Sequence, residues 1–364
     1  MEGVSPTRRS FLTVLGAGAG AAACAVVASR VVATSEPGTD EEARAGLSYV
    51  VDNDGRVHLD WVDGKDRRGF VFGKAGANEL PNFYQTTLNG HPLSTYTTDW
   101  IPPIVFEALL DGGGRAGLAF TGGNHLVDGK RSAENISFEI EADGYSIKPG
   151  DEGHADRVTC RVINKLMASN TVSKGRYALL QSVQVDFAAG CANVHADVVA
   201  LEDLSVFIDY GPQMVTTGVN EKVFYLGGMN ETPAKFNGNL NSGNFKEAPK
   251  AWASLCSSRK GQLAAWIDRG YGIADGTHIH ESFGMIIGGG PGSVKQYTTA
   301  IHRQLKRDKS NYLTLSKGDR YQWRGGYSWS SGRSKPGFVA SMKYLDNGRV
   351  RQADALSGAI YLNP

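Results

Sequence analysis

From residue 157 to 227, apolar and polar residues alternate through most of the run: DRVTCRVINKLMASNTV, then RYALLQSVQVDFAAG, then CANVHADVVALEDLSVFIDYGPQMVT. Successive side chains of a strand point to opposite faces. Val158, Cys160 and Val162, like Val183, Val185 and Phe187, therefore mark strands with one face on a core. Turn signals say how such strands pair. Asn53-Asp54-Gly55, Asp143-Gly144 and Asn347-Gly348 each join two runs of β formers, and these dipeptides suit the tight turns of antiparallel hairpins. Strand-length segments follow at 222–226, 262–267, 283–287, 311–315 and 337–345, whereas helical patterning is confined to 246–260 and 104–113. With 46 glycines and no fixed-period repeat, the chain is expected to be all-β. The architecture expected is a large antiparallel β-sandwich, jelly-roll-like, with one or two short helices.

The first residues carry a different pattern. Arg8 and Arg9 precede Ser10, Phe11 and Leu12, then an Ala, Gly and Val run without an acidic residue, ending in small residues up to Ala33. This resembles a bacterial twin-arginine signal peptide over residues 1–33, which implies export of an already folded protein and a secreted, extracellular location. Residues 34–46 are small and acidic and read as a flexible tether. Residues 47–364 are then a single large β-sandwich domain, with a subdivision near 228–260 as the alternative. The Gly/Asn-rich stretch GGMNETPAKFNGNLNSGNF within that region reads as a long functional loop.

Beyond the signal region the cysteines are Cys160, Cys191 and Cys256, an odd and scattered set. Buried free thiols are expected, with a Cys160–Cys191 pair as the alternative. Lys+Arg 38 against Asp+Glu 37 leaves a net charge of +1, so no bulk field selects nucleic acid or, once the signal is cleaved, a membrane.

The sequence lacks a G-x-S-x-G elbow, a phosphate loop, a dinucleotide fingerprint and an H-E-x-x-H helix, which removes the commonest hydrolase, nucleotide and metalloprotease readings. GGGPG at 288–292 reads as a flexible turn. In TGGNH, two glycines precede Asn124 and His125. As chemistry, His125 is a general acid or base, Asn124 a donor to an oxyanion or carboxylate, and nearby Arg131 an anion clamp. As structure, Asn124 fixes a turn and His125 is a loop residue. His195 and Asp197 stand two apart, as do His278 and His280, so each pair shares a strand face. If their strands are neighbours, these residues close one site for a divalent metal ion; otherwise they line a solvated face. The HxH spacing resembles the cupin motif. In GDRYQWRGGYSWSSG, Trp323 and Tyr327 flank Arg324 and supply flat rings beside hydrogen-bond donors, which suits sugars; the competing reading places the rings in the core.

The stretches VINKLMASNTVSKGRYALLQSVQV and ALEDLSVFIDYGPQM, with FTGGNH upstream, resemble β-rich modules of secreted bacterial and phage-tail proteins that engage polysaccharides. The resemblance implies a glycan substrate. Cleavage of a uronic-acid-containing chain by β-elimination needs a base, an acid and a carboxylate neutraliser. The candidates are catalytic His125, His195, Tyr210 and Asn124, and substrate-binding Arg131, Arg176, Gln213, Trp323, Arg324 and Tyr327. No cofactor is required, or one divalent metal ion at His278 and His280. Alternatives from other classes are a non-catalytic glycan- or surface-binding β-sandwich, a glycoside hydrolase drawing on Asp99, Glu134, Glu202 or Glu281, and a metal-dependent enzyme using the histidine pairs.

Overall fold

The computed structural model describes residues 46–93, 99–111, 118–219, 221–226, 253–279, 286–290, 293–302, 312–331, 343–346 and 349–352, all within one compact unit. Among them there is no α-helix, only strands and short 3₁₀ turns, and every ladder between named strands is antiparallel.

A six-stranded sheet has the order β10 (Glu152–Ala155), β1 (Leu47–Val51), β2 (Val57–Asp63), β3 (Asp66–Ala75), β4 (Leu80–Leu88) and β5 (His91–Pro92). A nine-stranded sheet runs β16 (Lys222–Leu226), β17 (Ala253–Ser258), β18 (Gly261–Ile267), β23 (Arg320–Ser330), β13 (Cys191–Ala200), β12 (Leu179–Ala188), β11 (Val158–Leu166), β8 (Ala133–Ala142) and β9 (Tyr145–Ser146). A third sheet joins β21 (Ile301–His302), β14 (Leu204–Asp209), β6 (Ile104–Ala108) and β7 (Phe120–Thr121), with β22 (Leu313–Leu315) also on β14. Smaller ladders pair β15 (Gln213–Thr216) with β20 (Ser293–Tyr297) and β19 (Ile286–Gly290), and β24 (Lys343–Asp346) with β25 (Arg349–Gln352).

The core follows from the alternation. Val158, Cys160, Val162, Val183, Val185 and Phe187 all point inward, and Phe187 lies 5.9, 5.7 and 5.5 Å from Phe70, Phe72 and Phe83 of the facing sheet. Trp100 and Tyr327 complete this aromatic layer at 4.7 Å from each other. Each such pair contributes about 0.5–1.5 kcal/mol beyond its buried area. Arg68, also fully buried, lies over Trp329 at 4.3 Å, pairs with Asp63 and Asp66, and donates to the Lys260 carbonyl, tying β3 to the turn between β17 and β18.

Both expected helices are strands. Ile104–Ala108 is buried at every position and Ala253–Ser258 at all but the last, so neither shows the alternation by which a half-exposed strand is read. Only a 3₁₀ turn, Leu109–Asp111, follows the first, and 246–252 lies outside the described residues, as does the expected Gly/Asn-rich loop at 227–245. The glycines at 288–290 belong to a strand, β19, and not to a turn. Of the three expected hairpins, the ladders beside Asn53-Asp54-Gly55, Asp143-Gly144 and Asn347-Gly348 are all formed.

Candidate functional site

The outward faces of β13 and β23 carry a hydrogen-bonded chain of polar side chains. Asp197 Oδ2 accepts from Gln322 Nε2 at 3.0 Å, Gln322 Oε1 accepts from the Tyr271 hydroxyl at 3.0 Å, and Tyr271 Oη lies 3.0 Å from His195 Nε2. The order fixes protons. The carboxylate of Asp197 turns the Gln322 amide nitrogen toward itself, so the amide oxygen faces Tyr271 and takes the phenolic hydrogen. The phenol oxygen is then the acceptor for His195 Nε2–H, which leaves Nδ1 with the lone pair. Partial burial holds the His195 imidazole below its ordinary pKa, reinforced by the Arg324 charge and opposed by Asp197 and Asp186. The ring is thus a neutral base near neutrality.

Arg324, opposite His195 in the β13–β23 ladder, places its guanidinium 4.4 Å from the Tyr271 ring centre and gives its Nε–H to Asp268 at 2.7 Å. Arg320 reaches Asp197 at 3.4 Å. Tyr271 comes from the segment after β18, and three contacts bring it over β23. Asp268 N–H bonds the Arg324 carbonyl at 2.9 Å; Arg269 donates to the carbonyls of Thr298 and Thr299, each at 2.8 Å; and Gly272 lies directly against the Gln322 backbone. A Cβ at Gly272, whose φ is +59°, would sit 2.0 Å from the Gln322 oxygen, so only glycine allows this approach.

A second group surrounds TGGNH. Asn124 N–H donates to Asp99 Oδ1 at 2.5 Å, and His125 Nε2 lies 3.3 Å from Asp99 Oδ2. The carboxylate is buried, while the imidazole is 44% exposed and open to a ligand. Gly123 makes room for Asp99, since a Cβ there would lie 2.3 Å from Oδ1. Asn124 is a turn residue: its amide oxygen accepts from Ala77 N–H at 2.9 Å, stitching the loop to the β3–β4 hairpin. His125 and Tyr210, far apart in sequence, are linked by Phe120, whose ring is 5.2 Å from one and 5.9 Å from the other. Tyr297 and His302 continue the group at 4.4 and 5.7 Å from Tyr210. Burial raises the Tyr210 hydroxyl well above the usual phenol range and Tyr297 to about 12, with the Asp99 charge adding to the latter, so neither is a ready acid or base.

The structure therefore divides the expected site residues into two groups, catalytic His195 with substrate-binding Arg324, and catalytic His125 and Asn124 with Tyr210. Other expectations are corrected. Trp323 and Tyr327 are 1% and 0% exposed: the first donates to Asp209 at 3.0 Å, the second to the Gln213 carbonyl at 2.9 Å, and neither offers a ring to a sugar. Gln213 is buried with them. Arg176 is held by Glu202 through two contacts at 2.9 and 3.2 Å, and Arg131 by Glu79 at 2.6 Å on the surface. His278 meets His302 through its carbonyl, which accepts that residue's N–H at 3.0 Å; His280 lies outside the described residues. Among the described residues no three His, Cys, Asp or Glu side chains converge to hold a metal ion. Gln322 is legible in the sequence as a neighbour of Arg320 and Arg324 on the face opposite the aromatics of β23, whereas nothing in the sequence around Tyr271 and Asp268 marks them.

What fold and side chains define together is an antiparallel β-sandwich with a proton-bearing cluster on the outer face of its largest sheet. No protein-family model matches the chain, and no curated protein matches it. Among solved structures it resembles the galactosidase domain of an α-galactosidase–sucrose kinase, AgaSK, at 7% identity and a TM-score of 0.42, over 82% of this chain and 45% of that one. It also resembles the α-galactosidase AgaB of Geobacillus stearothermophilus at 9% identity and 0.43, over 78% and 41%. A galactose mutarotase-like protein from Lactobacillus casei aligns at 10% identity and 0.40, over 75% of this chain and 99% of that one. The chain spans less than half the length of either galactosidase chain.

Proposed function

We propose that the protein is an exported polysaccharide-degrading enzyme, a lyase that cleaves a uronic-acid-containing glycan at His195 and Tyr271. The observation that carries this reading is the chain Asp197, Gln322, Tyr271, His195, each link at 3.0 Å. His195 Nδ1 takes the proton from the carbon beside the sugar carboxylate. The electron pair forms the carbon–carbon double bond, and the bond to the leaving glycosidic oxygen breaks. Tyr271 turns its hydroxyl hydrogen from Gln322 Oε1 to that oxygen, gives it up and is replenished from His195 Nε2–H, so proton and charge balance without a further reactant. Arg324 gives Asp268 one N–H and keeps its terminal nitrogens for the substrate carboxylate.

The test is incubation of the protein with a panel of uronate polymers, following ultraviolet absorbance of unsaturated ends together with polymer length. Absorbance should rise, and His195→Ala and Tyr271→Phe should each slow it by about a hundredfold or more. Shortening without absorbance would favour hydrolysis. A second reading, a non-catalytic glycan-binding face, draws on the fact that Asp197, Gln322, Tyr271, Arg324 and Asp268 already bond one another and so hold a rigid surface. Binding with neither shortening nor absorbance would favour it.

A further inference from the structure

The register of the large sheet sets one straight row of outward side chains across five strands. Glu139 pairs with Arg161, Arg161 with Gln184, Gln184 with His195, and His195 with Arg324. His195 and Glu139 are exposed, and Arg161, Gln184 and Arg324 are half-buried, even with β24 lying against β12, β13 and β23. The row is closed at one end. Beyond Arg324, Tyr271 and Asp268 occupy the surface, so a ligand seated at His195 extends only toward β12, β11 and β8.

Neighbouring strands are roughly 4.8 Å apart, which places Arg161 about 10 Å from His195, further than one sugar ring spans. The cations on this row are matched: Arg161 pairs with Glu141 at 2.6 Å and Arg324 with Asp268 at 2.7 Å. Such a surface does not pull on polymer charge in bulk. It recognises groups one at a time, through the Gln184 amide, whose nitrogen gives one hydrogen to Asp186 at 2.9 Å and keeps its second hydrogen and the amide oxygen for a ligand, and through the guanidinium donors of Arg161 that Glu141 leaves over.

Resting on the reading of His195 and Tyr271 as the reacting pair, we propose that the substrate is an extended sugar chain of at least three units that crosses the strands, with Gln184 and Arg161 holding the units that follow the reacting one. The experiment is a ladder of oligouronates from dimer to hexamer, with kcat/KM and calorimetric affinity measured for each. In the native protein both should rise with length until the chain reaches Arg161. In Gln184→Ala and Arg161→Ala that rise should be lost, leaving the hexamer about tenfold weaker, the effect of one hydrogen bond to a charged or amide group. A length dependence identical in native and variant protein would overturn the proposal. If the native protein binds the ladder without releasing unsaturated ends, the lyase reading fails alone, and the affinities still decide the row. If no oligomer binds at any length, both fall.

Discussion

A buried polar atom is the residue-scale quantity with the largest consequences here. Asp209 is 2% exposed and accepts hydrogen bonds from Tyr321 Oη, Trp323 Nε1 and Gly211 N at 2.9, 3.0 and 2.9 Å. Burial raises its carboxyl pKa against the three donors, which act to lower it. Asp209→Ala should therefore cost about 3 kcal/mol or more, because two buried ring donors lose their acceptor, and urea unfolding of the variant measures it. Trp323 was legible as a strand aromatic, with the sugar-facing and core readings both open. Its period of two with Tyr321, Tyr327 and Trp329 says that the four share a face, and only Asp209, over a hundred residues upstream, decides that the face is inner. His195 carries the pH prediction. Its depressed pKa puts the midpoint of its protonation below the ordinary 6.5 of imidazole, so the acid limb of turnover, where Nδ1 is protonated, should have its midpoint below pH 6.5. The sign for stability is the same: below 6.5 the unfolded chain binds the proton more readily, so this contribution to stability is lost as pH falls. A kcat/KM profile whose acid limb has its midpoint above pH 6.5 would exclude His195 as the base.

Elements made by alternation were readable, and elements defined by what covers them were not. β11, β12 and β13 show their faces in the sequence because one side meets solvent. β6 and β17 are covered on both sides and look locally like any apolar run. The segment after β18 is harder still, since its role depends on Gly272 touching a strand about fifty residues away. Gly272→Ala should displace this segment from β23 and part Tyr271 from His195. The expected result is turnover near that of Tyr271→Phe, with a stability loss of only about 1–3 kcal/mol for the strained left-handed backbone. Thermal melting and turnover on the same preparation separate these effects; native-like turnover would show that Tyr271 does not depend on the close approach. Gly123→Val should behave oppositely. Its Cβ meets the buried Asp99 carboxylate, so stability falls first and the TGGNH turn opens with it.

At the scale of the whole molecule the question is whether the nine-stranded sheet unfolds as one body. Cys160, Cys191 and Cys256 are buried free thiols, so reductant should leave the melting temperature unchanged. They also report on separate places: Cys160 on β11, Cys256 on β17 and Cys191 at the start of β13. Cys160 and Cys256 belong to one continuous apolar core, whereas Cys191 packs in a small separate cluster with Ala188 beside the β12–β13 turn. Burial pushes the Cys160 and Cys256 thiols far above their usual range, so neither reacts until water reaches it. Thiol labelling through a urea series, with each site read by mass spectrometry, should show Cys191 reacting first through local opening and Cys160 and Cys256 reacting together at the global transition. The pair is the informative comparison. β16, β17 and β18 form one flank of the sheet and reach its centre only through the β18–β23 ladder and the shared core. If that core holds the flank, Cys256 cannot become reactive before Cys160. Labelling of Cys256 at lower urea would mean that the flank opens separately, and the subdivision near 228–260 would then be the better description of the chain.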